Sequence, residues 1–229
     1  MTSINPATGQ VLAEYPFLDA EGLARKLDRA ASGFSTWRDT PVEERAAALH
    51  RIADLFEAEK QHLGRVIVAE IGKPLAAAIG EVEKCAYTCR FYADAASRLL
   101  APEDASYGAV RASIRFLPLG AILAIMPWNF PLFQVVRFLA PTLMAGNVAL
   151  LKHAENVPQS ALAMESVARR AGLPDGVFQT LFIGVDTVPG VIADPRVAAV
   201  TLTGSERAGK AVAVEAGRVL KKCVLELGH

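Results

Sequence analysis

The stretch GAILAIMPWNFPLFQVVRFLAPTLMAGNVALLKHAE fills residues 120–155 and contains one complete strand–helix–strand pattern. Ala121–Met126 and Val148–Lys152 are continuous apolar runs of strand length. Leu132–Ala145, between them, repeats apolar residues at helical spacing. Apolar strands joined through a helix fit a parallel sheet buried on both faces. Between the first strand and the helix stand Pro127 and Pro131, two residues either side of Asn129. Prolines so placed stop the backbone from continuing as strand or helix. An amide buried there without partners costs roughly 1–3 kcal/mol, so Asn129 is expected to be either satisfied by local packing or used.

The pattern continues toward the carboxyl end. Val177–Leu181, Val197–Leu202 and Leu220–Leu227 read as further strands. Pro158–Ala171, Asp186–Ala193 and Glu206–Ala216 read as helices. The expectation is an α/β fold, a Rossmann-like open parallel sheet with flanking helices over 119–229. Ligands on such sheets sit beyond the carboxyl ends of the strands. The first 106 residues read as mainly helical. Leu23, Leu27, Ala30, Ala31, Phe34 and Trp37 lie at helical spacing, and Ala46, Leu49, Ile52, Ala53 and Phe56 mark a second helix. A short third helix is expected over Val66–Ile71, ending at Gly72-Lys73-Pro74, and a fourth over Leu75–Leu99. Pro102–Ser106 reads as a loop. Tyr107–Leu117 alternates apolar and polar residues, as in half of a hairpin with one exposed face.

Composition narrows the function. Of 229 residues, 52% are hydrophobic, and 24 basic side chains balance 24 acidic ones. This is enough apolar material for a substantial core, and it leaves no electrostatic footprint for nucleic acid or an anionic membrane. No apolar run is long enough to span a bilayer, and MTSINPATGQ lacks the pattern of a secretory signal. Three cysteines without framework spacing fit a reducing cytoplasm. Cys85 and Cys89, four apart on a helix with no histidine cluster, read as packing rather than as metal ligands.

Four strand ends carry polar groups that a parallel sheet would bring to one crevice. Thr203-Gly204-Ser205-Glu206 fits a capping box, with Thr203 and Glu206 reciprocally bonded. Such a helix start is either an ordinary cap or a phosphate site, with Gly204 allowing close approach and Ser205 adding a hydroxyl. The fingerprint G-x-G-x-x-G is absent. Lys152 and Glu155 are either a surface pair or contacts to a ribose, and a carboxylate there would repel a 2′-phosphate and favour NAD over NADP. Glu226, between Leu225 and Leu227, either reaches solvent or is a tuned base.

Taken together, INPATG at 4–9, PWNFP at Pro127–Pro131, AGN at Ala145–Asn147, LLKHAE at Leu150–Glu155, AGLPDGVF at Ala171–Phe178, TGS at Thr203–Ser205 and LELG at Leu225–Gly228 resemble the aldehyde dehydrogenase superfamily. Within it, PWNFPLFQVVR, LLKHA and LKKCVLELG are most similar to bacterial succinate-semialdehyde dehydrogenases. The resemblance implies oxidation of an aldehyde to a carboxylate by a cysteine thiolate and NAD. It makes Asn129 the oxyanion-hole amide and Glu226 the base that activates water. It makes Ile125, Met126, Pro127, Trp128, Lys152, Glu155, Gly204, Ser205 and Leu227 cofactor contacts. It offers Phe130 and Arg137 as substrate contacts. Arg137, eight residues after Asn129, is either the clamp for a substrate carboxylate or a helix-surface arginine. The resemblance also makes 1–106 the helical part of the cofactor domain and 107–118 part of an oligomerisation hairpin, and it implies a homo-oligomer.

The sequence departs from the family in three places. The nucleophilic cysteine expected a few tens of residues after Glu226 is not among Cys85, Cys89 and Cys223, and the sequence ends at His229. The chain therefore reads as an amino-terminal portion without thiol chemistry of its own, the alternative being a nucleotide-binding or assembly module. His229 stands where glycine is usual. His153 stands where proline is common and reads as touching either the ribose or nothing.

Overall fold

In the computed structural model, residues 1–228 are described; His229 lies outside them. The chain opens with an antiparallel pair, β1 (Thr2–Ile4) and β2 (Val11–Glu14). The turn between them is closed locally: the Asn5 side chain accepts from the Ala7 amide at 2.9 Å, and the Asn5 carbonyl accepts from Gly9 at 2.8 Å. Three helices follow, α1 (Ala20–Trp37), α2 (Val42–Ile71) and α3 (Leu75–Leu99). The expected break between the second and third helices does not occur. Residues 57–65 are mostly strong helix formers, so α2 runs for 30 residues and stops only at Gly72, in the left-handed conformation.

The segment that follows differs from expectation too. It forms only β3 (Glu103–Asp104) and β4 (Ser113–Ile114), which pair antiparallel. Of the expected strand 107–117 only Ser113–Ile114 pairs as strand, with an isolated Tyr107–Val110 bridge around a two-residue turn, and both alternating faces are exposed, Tyr107, Val110, Phe116 and Leu117 included.

From Gly120 the expected alternation is realised. The elements are β5 (Ala121–Met126), α4 (Phe133–Met144), β6 (Val148–His153), α5 (Pro158–Arg170), β7 (Phe178–Thr180), α6 (Val188–Ala193) after a 3-10 turn, β8 (Val197–Ser205), α7 (Glu206–Arg218) and β9 (Lys222–Gly228). The five strands β5–β9 form one parallel sheet in the order β7-β6-β5-β8-β9. Crossing from β6 and β7 on one side to β8 and β9 on the other places β5 at the point where the order reverses, the place where such sheets bind ligands. Its neighbour β6 is buried along its whole length, which is why it reads as a continuous apolar run. One core joins the helices to the sheet; Phe56, Leu63 and Ile67 of α2 share it with Leu123, Leu150 and Leu151 of the strands. No helix among the described residues is long and apolar enough to cross a membrane.

Candidate functional site

Strand alternation gives the sheet two working faces near β5. On the face covered by α4, a cavity of about 280 Å³ is lined by Ile122, Met126, Gln134, Arg137, Thr203 and Glu226, among others. Thr203 and Glu226 are direct partners across the β8–β9 ladder, so their side chains emerge together. Arg137 reaches down from α4 to both: it ion-pairs with the Glu226 carboxylate and approaches the Thr203 hydroxyl at 3.4 Å. The side-chain oxygen Oε1 of Gln134 is buried beside them and has no hydrogen-bond donor among the described residues.

The opposite face carries an apolar groove of about 470 Å³ between α6 and α7. Ile125, Val188, Pro189, Leu202 and Val212 line it, with Lys152 at its edge. The lining suits a flat apolar ring. Lys152 is buried, and its Nζ lies 3.6 Å from the half-exposed Glu155 carboxylate. The start of α7 adjoins this region. Its cap is Ser205, whose Oγ accepts from the Ala208 amide at 3.3 Å. The expected Thr203–Glu206 capping box does not form, because β8 stays paired with β9 through Ser205 and the helix begins two residues later than that box requires.

The expected cofactor residues therefore divide. Ile125 and Lys152 line the groove, while alternation turns Met126 to the α4 side. Pro127 and Trp128 line neither cavity, and Trp128 is exposed. Leu227 is turned onto α7, where a Cβ on Gly209 would lie 2.5 Å from its Cδ2. Gly204 has ordinary clearance, its nearest neighbour being Leu202 Cδ2 at 3.5 Å. The sequence reading missed Val188, Pro189 and Val212, because one short helix and one amphipathic helix carry no signature of a ring-binding slot.

The Pro127–Pro131 turn joins the two faces. Asn129 is exposed, so the desolvation cost expected of a buried amide does not arise. Its side chain makes no hydrogen bond to another described residue, whereas its own carbonyl and the backbone that follows it are bonded. Lys73 Nζ donates to the Asn129 carbonyl at 3.2 Å and lies 3.7 Å from the Phe130 ring centroid. Glu81 Oε1 accepts from the amides of Leu132 and Phe133 at 2.9 and 3.1 Å, and its Oε2 meets Lys73 at 2.6 Å. The His153 Nε2 lies 2.7 Å from the Pro131 carbonyl, and its Nδ1 accepts from Ala154. This arrangement requires the Nε2–H tautomer. Burial pushes the imidazole down to about 4, so it is neutral at ordinary pH. His153, read from sequence as touching either the ribose or nothing, fastens the turn. Glu81 left one signal in the sequence: it falls on the buried face of α3 with Ala78, Val82 and Cys85.

No cysteine lines either cavity. Burial raises Cys85 well above the ordinary thiol range and Cys89 to about 12, and it raises the half-buried Cys223. Cys223 alternates with Val224 and Glu226 and so points away from the α4-side cavity. Among the described residues no group of three or more His, Cys, Asp or Glu is placed to hold a metal.

Comparison with known proteins agrees with this architecture. A family model described as the aldehyde dehydrogenase family matches residues 1–229. A Mycobacterium ulcerans protein named succinate-semialdehyde dehydrogenase NADP(+) 1 is 49% identical over the whole chain and 51% of its own length. A Synechocystis protein named probable succinate-semialdehyde dehydrogenase, also NADP(+), is 47% identical over the whole chain and half of its own. A solved succinic semialdehyde dehydrogenase from Streptococcus pyogenes, in complex with NADP+ as the cofactor, superposes with a TM-score of 0.97 at 39% identity, covering 99% of this chain and 50% of that one. The chain thus spans about half the length of the curated relatives it matches.

These relatives overturn the expectation that NAD is the main cofactor, since their names and the bound ligand specify NADP. The expectation counted the Glu155 carboxylate alone. In the structure the Lys152 ammonium stands against it and offsets the charge that was to exclude a 2′-phosphate. With the family model matched from end to end and relatives near half identity along its whole length, the chain belongs to the aldehyde dehydrogenase family.

Proposed function

We propose that the chain supplies the cofactor site, the oxyanion amide and the water-activating base of an NADP-dependent succinate-semialdehyde dehydrogenase. The nucleophilic thiol comes from residues outside these 229. The observation that carries the reading is the meeting of Arg137, Thr203 and Glu226 in one cavity at the strand ends, with the apolar groove behind the same strands.

In this reading the lining of the α6–α7 groove would hold the adenine end of the cofactor, and Lys152, Glu155 and Ser205 would hold its sugar and phosphates. When bound, the dinucleotide would supply the acceptor for the hydride that leaves the substrate carbon. Asn129 donates to the oxygen on which negative charge develops, a contribution typically worth about 2.7–4 kcal/mol of transition-state stabilisation. Its unpaired amide supports that role, because the donor need not break a bond to act. Arg137 clamps the far carboxylate of the substrate, so substrate and Glu226 compete for one guanidinium, and the carboxylate that arrives leaves Glu226 free to take a proton from water. The free thiols support a reducing, cytoplasmic setting, and the exposed apolar side chains of 107–117 support a homo-oligomer.

Succinate, the expected product, tests the clamp on the chain itself. Calorimetry is expected to show saturable succinate binding that weakens roughly tenfold or more in Arg137→Ala, the scale of a hydrogen bond to a charged group. Neutral succinamide should bind weakly and be indifferent to the substitution. Equal affinity of wild type and Arg137→Ala for succinate would remove Arg137 from substrate binding.

A further inference from the structure

We infer that Lys73, Glu81 and His153 form a brace that positions Asn129, fixing the backbone at its carbonyl and just after it and leaving its side-chain amide free. The carbonyl of Asn129 is taken by Lys73 at 3.2 Å and that of Pro131 by His153 at 2.7 Å. The next two amides, of Leu132 and Phe133, share one oxygen of Glu81. The other oxygen of Glu81 holds Lys73 at 2.6 Å, so the carboxylate reaches Asn129 through the lysine as well.

Helix capping alone does not explain the cluster. Capping α4 accounts for Glu81 on Leu132 and Phe133, but not for Lys73 on the Asn129 carbonyl or for His153 on Pro131. Glu81 is 4% exposed and His153 1%. Burying a carboxylate and an imidazole is costly unless both are hydrogen-bonded, and in both cases the turn supplies bonds that offset the cost. The three braces come from separate elements: the α2–α3 junction, α3 and β6. A turn held at the Asn129 and Pro131 carbonyls and at the two following amides fixes where Asn129 stands and leaves its side chain unbonded. None of the three reaches a cavity described above; they act through Asn129, and the catalytic sense of the inference rests on its role as oxyanion donor.

The test reads the amide directly. In the ¹⁵N-labelled chain, the Asn129 side-chain pair is identified by its disappearance in Asn129→Asp. In Lys73→Met this pair is expected to shift away from its wild-type position as the turn loosens, while the backbone amides of α5 and β7 stay in place. Lys73→Arg is expected to restore it. His153→Phe should also move the pair, and His153→Gln, which keeps a donor, should not. A pair that stays in place in both Lys73→Met and His153→Phe, in chains with otherwise wild-type spectra, would overturn the brace. If the brace holds but Asn129→Asp leaves aldehyde oxidation intact in the assembled enzyme, the functional reading fails and this inference stands.

Discussion

His153 shows how much one buried side chain can constrain. Burial places its imidazole near 4 in the folded chain, against an ordinary 6.5. Between those values the unfolded chain binds a proton that the native state does not. Stability contributed by the neutral ring is therefore complete above about pH 6.5 and is lost as pH falls toward 4. The shift corresponds to about 3 kcal/mol at most. Denaturant midpoints measured from pH 7 to 4 are expected to fall more steeply in the wild type than in His153→Gln, which does not titrate; parallel curves would contradict the assignment. Residues of this kind are hard to read from sequence. Asn129, Arg137 and Glu226 were legible because a polar type at a strand end, or eight residues along a helix from one, is itself a signal. Lys73 and Glu81 act on partners 56 and 51 residues away, and nothing local in the sequence marks such a pairing. Glu155 was legible but misleading, since its influence depends on a lysine ammonium that the sequence places nearby without saying where it points.

At the level of elements, apolar runs and turn residues located all five strands of the main sheet and the helices between them. The failures have physical causes. A mostly polar run at 57–62 and Gly64 interrupt the apolar periodicity and hid the unity of α2, and the β1–β2 pair is too short to show an alternating pattern. The alternation over 107–117 carries an exposed segment instead of a half-buried strand. The motif AGLPDGVF was noticed only by resemblance, and the structure gives it a mechanical reason. Gly176 has φ +83°, and a Cβ there would lie 2.0 Å from the Arg29 carbonyl oxygen, so α1 seats directly on this loop. Gly176→Ala is expected to destabilise the chain by more than about 2 kcal/mol, combining backbone strain with a steric clash. Gly80 in α3 is the internal control: nothing lies within 4 Å of its would-be Cβ, and Gly80→Ala should be stabilising by roughly 0.5–1 kcal/mol. Urea unfolding of the two variants checks both signs, and a harmless Gly176→Ala would refute the packing account.

Across the whole molecule, one sheet divides two tasks between its faces. The α6–α7 face is apolar, with a buried cation at its edge. The α4 face gathers an arginine, a threonine and a carboxylate, and the braced turn at the end of β5 stands between them. A larger groove of about 690 Å³, lined by Lys26, Leu162, Glu165, Arg169, Leu173 and Phe178, lies beside the edge strand β7, away from this crevice. The proposed nucleotide site is therefore chosen by position relative to the strand ends and not by volume. The most direct measurement is an NADP+ titration of the methyl-labelled chain followed by NMR. The account predicts saturable shifts at Ile125, Val188, Ile192, Leu202 and Val212, with Leu162 and Leu173 unmoved. Shifts confined to Leu162 and Leu173, or none at the α6–α7 groove at saturating NADP+, would contradict it.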